Sequence, residues 1–136
     1  MEKIEISDFL KAIAGGILIS IGGTIYLSIE NKLIAAVLFS VALLTICYLG
    51  ANLYTGKINY LVSNHYSNYY LQYLLIVICG NLVGTILCAQ FISIMNPNLV
   101  IKAKYLCDAK LNLSFPQTLI AAVFCGIMMY CGVIIF

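Results

Sequence analysis

The chain has 136 residues, of which 63% are hydrophobic and only 9% are charged, and its mean hydropathy is +1.05. Soluble domains contain about 45–50% apolar and about 25% charged residues, so this composition indicates an integral membrane protein. The formal net charge of +2 comes from few ionisable groups with no basic run among them, so we expect no nucleic-acid partner.

The polar and sulfur-containing side chains do not form a reactive cluster. None of the six cysteines belongs to a CxxC pair, and the one histidine, His65, is remote from them in sequence. Free cysteine packs as a small apolar residue, so we expect neither a metal site nor a cofactor. The acidic residues lie near the ends of apolar segments or in connections, which gives no carboxylate pair for catalysis. We therefore expect that the protein is not an enzyme.

The first apolar segment covers residues 9–29, about the ~20 residues that a bilayer-spanning helix needs. Small residues recur inside it at roughly helical spacing, including Gly15, Gly16, Ser20, Gly22 and Gly23. Small side chains let helix backbones approach closely in lipid. We expect this helix to pack tightly against others.

The second segment, residues 33–62, begins as an apolar helix and is then interrupted by Gly50, Asn52, Thr55, Gly56 and Lys57. Inside a bilayer, irregular backbone is tolerated only within protein or along a water-filled cavity. Broken helices with polar residues recur at transport sites. The alternative is that the interruption is only the loop where the helix leaves the membrane.

A tyrosine-rich connection that includes His65 precedes the third segment, residues 69–95. Tyrosine prefers the membrane interface, and His65 there is either a solvated residue or one with a ligand or proton-relay role. Asn81 lies in the middle of the third segment between Gly80 and Gly84. It requires a hydrogen-bond partner in protein, which makes it either a link between helices or a pore-lining residue.

A polar connection over residues 96–114 contains Lys102, Lys104 and Lys110, and the fourth apolar segment covers residues 115–136. The sequence thus predicts an all-α integral membrane protein with about four transmembrane helices, the second of them broken. The lysines are spread over both sides of the predicted spans, so charge counting leaves the orientation open.

The segments FLKAIAGGILIS and FPQTLIAAVFCG, at residues 9–20 and 115–126, resemble each other weakly. Three predicted spans separate their starting points. A repeated unit with an odd number of spans has copies of opposite orientation, as in inverted-repeat transporters. This pattern favours one whole repeat followed by the first helix of the next.

Four motifs in succession resemble the formate/nitrite transporter family. GANLYTGK at residues 50–57 is similar to that family's GAELFTGN, and it follows LFSVALL, which is similar to LFPxGLL. AIAGGILISIGG resembles the family's first helix, YLLIVICGNLVGTIL its third and KLNLSFPQTLIAAVFCG its fourth. The motifs occur in family order and cover nearly the entire chain.

The resemblance implies half of an inverted-repeat, aquaporin-like channel fold, assembled as a homopentamer in the plasma membrane, such as a bacterial inner membrane. Each protomer of such a channel carries its own path for formate, nitrite or another small monovalent anion. The amino terminus would then be cytoplasmic.

The resemblance also assigns roles to individual residues of this chain. Phe39 and Leu43 correspond to one constriction of the family's path, and Leu53 and Thr55 to the other. Lys110 occupies the place of a lysine that draws anions into the outer vestibule. The residues of the gating loop around the helix break would be Gly50, Asn52, Gly56 and Lys57.

The chain also departs from the family pattern. Asn52 replaces a glutamate, Lys57 replaces an asparagine, and Gly126 replaces the asparagine of the fourth helix. The GxEHxxAN segment and the fifth and sixth helices have no counterpart in the sequence. We therefore expect a truncated or split member that transports with a complementary chain supplying those helices. The alternative is a non-transporting membrane scaffold, a regulatory subunit or an inactive remnant.

Overall fold

The computed structural model describes residues 4–61 and 67–135, and His65 lies outside them. Over these residues the chain is helical, with no strand. The α-helices are α1 (Ile6–Ser28), α2 (Lys32–Tyr48), α3 (Tyr54–Lys57), α4 (Asn68–Met95), α5 (Pro97–Leu111) and α6 (Phe115–Ile134), and a 3-10 turn, Ile58–Leu61, follows α3.

Three helices among the described residues are long and apolar enough to cross a membrane, namely α1, α4 and α6. The prediction of an all-α multi-pass membrane protein is thereby confirmed. Helix α2 is apolar but has 17 residues, fewer than the ~20 that a straight crossing requires. The count of four spans and the inverted repeat therefore stay predictions.

Helices α1 and α4 run parallel and are in close contact through glycines. A Cβ atom on Gly80 would lie 2.6 Å from the Cβ of Ala12, and one on Gly84 would overlap the carbonyl of Ile13. A Cβ on Gly16 would overlap the backbone of Asn81. Gly16 thus lies against α4, whereas Gly22 lies against Ala42 and Phe39 of α2. Because lipid provides no hydrophobic effect between helices, the close fit itself supplies the attraction.

Helices α1 and α2 form an antiparallel hairpin. Asn31 caps α2, because its side-chain oxygen accepts hydrogen bonds from the backbone N–H groups of Leu33 (3.1 Å) and Ile34 (3.3 Å). Further along the pair, the rings of Tyr26 and Phe39 meet edge to face with centroids 6.4 Å apart. The hairpin carries the chain back from the end of α1 towards the level of its beginning.

The polar connection predicted over residues 96–114 contains a helix, α5, which the sequence analysis did not anticipate. Asn96 caps it by accepting a hydrogen bond from Asn98 N–H (3.2 Å), and Pro97 occupies its first turn. The Nζ of Lys102 lies 3.5 Å from the carbonyl oxygen of Leu27, which places α5 beside the end of α1. The side chains of α5 are too polar to form an apolar segment, which was the signal from which the sequence analysis predicted helices.

These contacts define two faces of the bundle. The N-terminal face is where α1 and α4 begin, and the opposite face is where they end and where α5 lies. Helix α6 starts directly after α5 and returns to the N-terminal face, because Val133 near its end lies against Gly56 of α3.

The glycine contacts predict a sharp difference between two positions on α1. We expect Gly16→Ala to lower the free energy of unfolding by about 1–3 kcal/mol, since the added methyl group forces α1 away from α4. Gly23→Ala is the matched control, because nothing lies within 4 Å of a Cβ there. Unfolding in detergent, followed by circular dichroism, measures both. Equal stability of the two variants would contradict the close α1–α4 contact.

Candidate functional site

The interruption predicted after the second apolar segment is present as an ordered helix ending. Helix α2 stops at Tyr48, and Gly50 follows with φ +62°, a left-handed conformation that glycine adopts without strain. The N–H of Ala51 donates to the carbonyl of Ile46 (3.0 Å) and that of Gly50 to the carbonyl of Cys47 (3.1 Å). This pair of bonds is a Schellman ending, which satisfies carbonyls that the helix leaves open.

Beyond Gly50 the chain is not helical until Tyr54, so its peptide groups need partners elsewhere. Asn52 finds them on α1. Its backbone N–H donates to the carbonyl of Lys11 (3.1 Å), and its side-chain amide donates to the carbonyl of Asp8 (3.3 Å). Only 4% of the Asn52 surface is exposed. The break is thus attached directly to the first helix.

Asn81 of α4 completes the attachment from the other side. Its side-chain oxygen accepts the N–H of Tyr54 (2.8 Å), and its side-chain nitrogen donates to the carbonyls of Ala12 (2.7 Å) and Asn52 (2.8 Å). One amide group therefore joins α1, the break and the start of α3. We call Asn52 and Asn81, with the backbone groups they bind, the polar clamp. Of the two roles considered for Asn81, the link between helices is the one that the structure shows.

A partly open groove of about 510 Å³ lies beside the break, between α2, α3 and α6. Five residues predicted as path or gating-loop residues line it: Leu43, Gly50, Leu53, Gly56 and Lys57. Most of the other lining side chains are apolar. The volume is ample for a small solute, and the polar groups are few.

The remaining predicted site residues lie elsewhere. Phe39 packs against Tyr26 of α1, Thr55 is exposed, and Asn52 is in the polar clamp. Lys110 is exposed in the last turn of α5, at the opposite face of the bundle. Their roles in a path stay predictions, and none of these four residues lines the groove.

The sequence analysis missed the contribution of α6 to the groove. Met128, Met129, Gly132 and Val133 form its α6 side, and the α2 side includes Ser40. None of the α6 residues stands out in an apolar run, because a helix that is hydrophobic all round does not indicate which face meets a neighbour.

The wall formed by α3 is fixed from two directions. The hydroxyl of Tyr70, in the first turn of α4, donates to the carbonyl of Lys57 (2.7 Å). On the other side, a Cβ on Gly56 would lie 3.2 Å from a methyl group of Val133. Gly56 thus lets α6 approach α3, and α3 lines the groove at its N-terminal end.

A family model described as formate/nitrite transporter matches residues 5–136, which is nearly the full length. The chain belongs to the formate/nitrite transporter family. The resemblance carried by the four motifs is therefore confirmed, and the break, the polar clamp and the groove all lie within the matched residues. No curated protein and no solved structure matches the chain.

The polar clamp predicts that Asn81 stabilises the fold. We expect Asn81→Leu to lower the free energy of unfolding by about 2–3 kcal/mol, because each buried polar group left without a partner costs about 1–3 kcal/mol. Thr85→Val is the matched control, since the Thr85 hydroxyl donates only within α4, to the carbonyl of Leu82 (2.9 Å). Unfolding in detergent compares them, and an Asn81→Leu variant as stable as the control variant would refute the clamp.

Proposed function

We propose that the groove beside the helix break is part of a path for small monovalent anions, such as formate or nitrite, across the membrane. Membership of a transporter family and the apolar membrane-spanning helices support a transport function rather than an enzymatic one. The observation that carries the proposal is that Leu43, Leu53 and Lys57 line one groove at the break. These residues belong to the segments LFSVALL and GANLYTGK, which resemble the family motifs that line its path.

The chemistry of the groove favours passage of the neutral acid. A bare anion among apolar side chains loses its hydration without compensation, which costs several kcal/mol or more. An anion that picks up a proton avoids this cost. In this proposal Leu43 and Leu53 form the apolar barriers, and Gly50, Asn52, Gly56 and Lys57 form the loop that sets the opening. Phe39 and Thr55 do not line the groove, so their proposed part in the constrictions rests on the family resemblance alone.

The exposure of the described part of α6 supports the proposal that the path needs more protein around it. Its side chains are exposed along nearly all of its length, with Met129 and Val133 the partly covered ones, and the groove is open on one side. We propose that further helices close this side, supplied by a complementary chain, and that protomers assemble as a homo-oligomer, a pentamer by family resemblance. The surrounding bilayer is proposed to be a plasma membrane, such as a bacterial inner membrane.

Uptake of labelled formate and nitrite into proteoliposomes tests the transport function. The chain is reconstituted alone and together with a polypeptide carrying the GxEHxxAN segment and two further helices, with protein-free liposomes as the background. Uptake above background only in the combined sample supports a split channel. Uptake by the chain alone shows that no complementary chain is needed. Background uptake in both samples would contradict transport and favour the scaffold or remnant.

Lys110 gives a residue-level prediction for the same assay. We expect Lys110→Ala to raise the formate concentration for half-maximal uptake by up to about tenfold, because a fixed positive charge concentrates anions at a pore mouth. Lys104→Ala is the control, as Lys104 is an exposed lysine on the same helix. Unchanged uptake kinetics in the Lys110→Ala variant would remove this residue from the path.

A further inference from the structure

Lys57 is a lysine in the wall of an otherwise largely apolar groove. It ends the short helix α3 and is half-buried, and it lies near Leu53 and Gly56 along the groove. Its N–H donates to the carbonyl of Leu53 (3.0 Å), and its own carbonyl accepts the hydroxyl of Tyr70 (2.7 Å). The backbone that carries this side chain is therefore held in place on both sides.

The charge of Lys57 is not neutralised within the part of the chain that the structure describes. No carboxylate there forms an ion pair with the Lys57 ammonium group. On the same face of the bundle, Asp8 and Glu5 bond to each other's backbone in a capping box at the start of α1. A charge that faces a low-dielectric groove without a counter-ion projects its potential into that groove.

Lys57 and Lys110 lie at opposite faces of the bundle. Tyr70 places Lys57 beside the first turn of α4, which is the N-terminal face. Lys110 is in the last turn of α5, and α5 lies beside the end of α1 through the contact of Lys102 with Leu27. One lysine is thus available to anions from each side of the membrane.

A lysine at a helix end has a simpler explanation, since cations are favoured near the carboxyl end of a helix. In α3 this effect is small, because the helix has only four residues. An interfacial lysine also commonly extends its ammonium group towards water. Neither explanation requires the side chain to line a groove of about 510 Å³, which Lys57 does.

We propose that Lys57 is an anion-binding residue at the N-terminal mouth of the groove, and that it holds a small monovalent oxyanion before the apolar barrier formed by Leu53 and Leu43. The inference rests on the proposed transport function, and it adds a binding site on the side opposite Lys110.

Formate transport measured separately from each side of the membrane tests this site. The full chain is reconstituted with the complementary helices, its orientation is established by protease access, and formate uptake is measured from either face. We expect Lys57→Met to raise the half-saturating formate concentration about tenfold from the N-terminal face and to leave the opposite face unchanged. Inert salt should reduce this difference, since it screens the charge.

Two further variants show whether the effect is specific. Lys57→Arg keeps the positive charge and should restore uptake to near the wild-type level. Lys11→Met removes a charge near the same face, from an exposed side chain that does not line the groove. Only the Lys11 carbonyl takes part in the polar clamp, and the substitution keeps it, so uptake should be unchanged. Circular dichroism of each variant establishes that it is folded. Unaltered kinetics in Lys57→Met, when the wild-type channel transports, would overturn the binding role of Lys57 and leave the transport function intact.

If no sample transports formate, a direct binding measurement still tests the anion site at Lys57 independently of the transport function. The width of the ¹³C-formate NMR signal is measured with micelles of the wild-type chain and of each variant. Broadening that is lost in Lys57→Met and kept in Lys57→Arg and Lys11→Met supports the anion site even though the transport function fails. Identical line widths for wild type and Lys57→Met would overturn the anion site.

Discussion

A chain that stops being helical inside a packed helix bundle must find partners there for the peptide groups that it frees, and the rest of this structure depends on how that requirement is met. Three hydrogen bonds satisfy peptide groups of the break: Asn81 accepts the N–H of Tyr54 and donates to the carbonyl of Asn52, and the N–H of Asn52 donates to the carbonyl of Lys11. The side-chain amides of Asn81 and Asn52 also donate to the carbonyls of Ala12 and Asp8 on α1. Among the buried side-chain nitrogen and oxygen atoms that the structure describes, none lacks a partner. The break is therefore a fixed element, and the groove takes its shape from it.

The polar clamp and the glycine packing depend on each other. A Cβ atom on Gly15 would lie 2.6 Å from the carbonyl oxygen of Asn52, and one on Gly16 would overlap the backbone of Asn81. The two glycines thus admit the clamp between α1 and α4. With the break held there, the chain turns so that Leu53, Gly56 and Lys57 face α6 and form one side of the groove. The same few residues therefore allow the close helix packing, provide hydrogen-bond partners for the backbone of the break and shape the candidate path.

Much of this could be predicted from the sequence because the signals were local. The composition indicated a membrane protein, the run of small residues in the first segment indicated close packing, and the polar residues from Gly50 to Lys57 marked the break. Other features depend on tertiary contacts. Phe39 lies on an apolar helix, and only the fold determines that it meets Tyr26. The groove-lining residues of α6 were missed for the same reason, and α5 was missed because its caps, rather than an apolar period, define it.

The central claim is that the non-helical break is rigid because Asn81 and α1 hold it, and amide hydrogen exchange tests this most directly. The exchange rates of the Asn52 and Tyr54 N–H groups are measured by NMR with the protein in lipid nanodiscs. The polar clamp predicts protection comparable to that of amides within α1 and α4, since both groups donate to fixed acceptors on those helices. Exchange as fast as in a solvated loop would contradict it, and the break would then be an ordinary exit from the membrane.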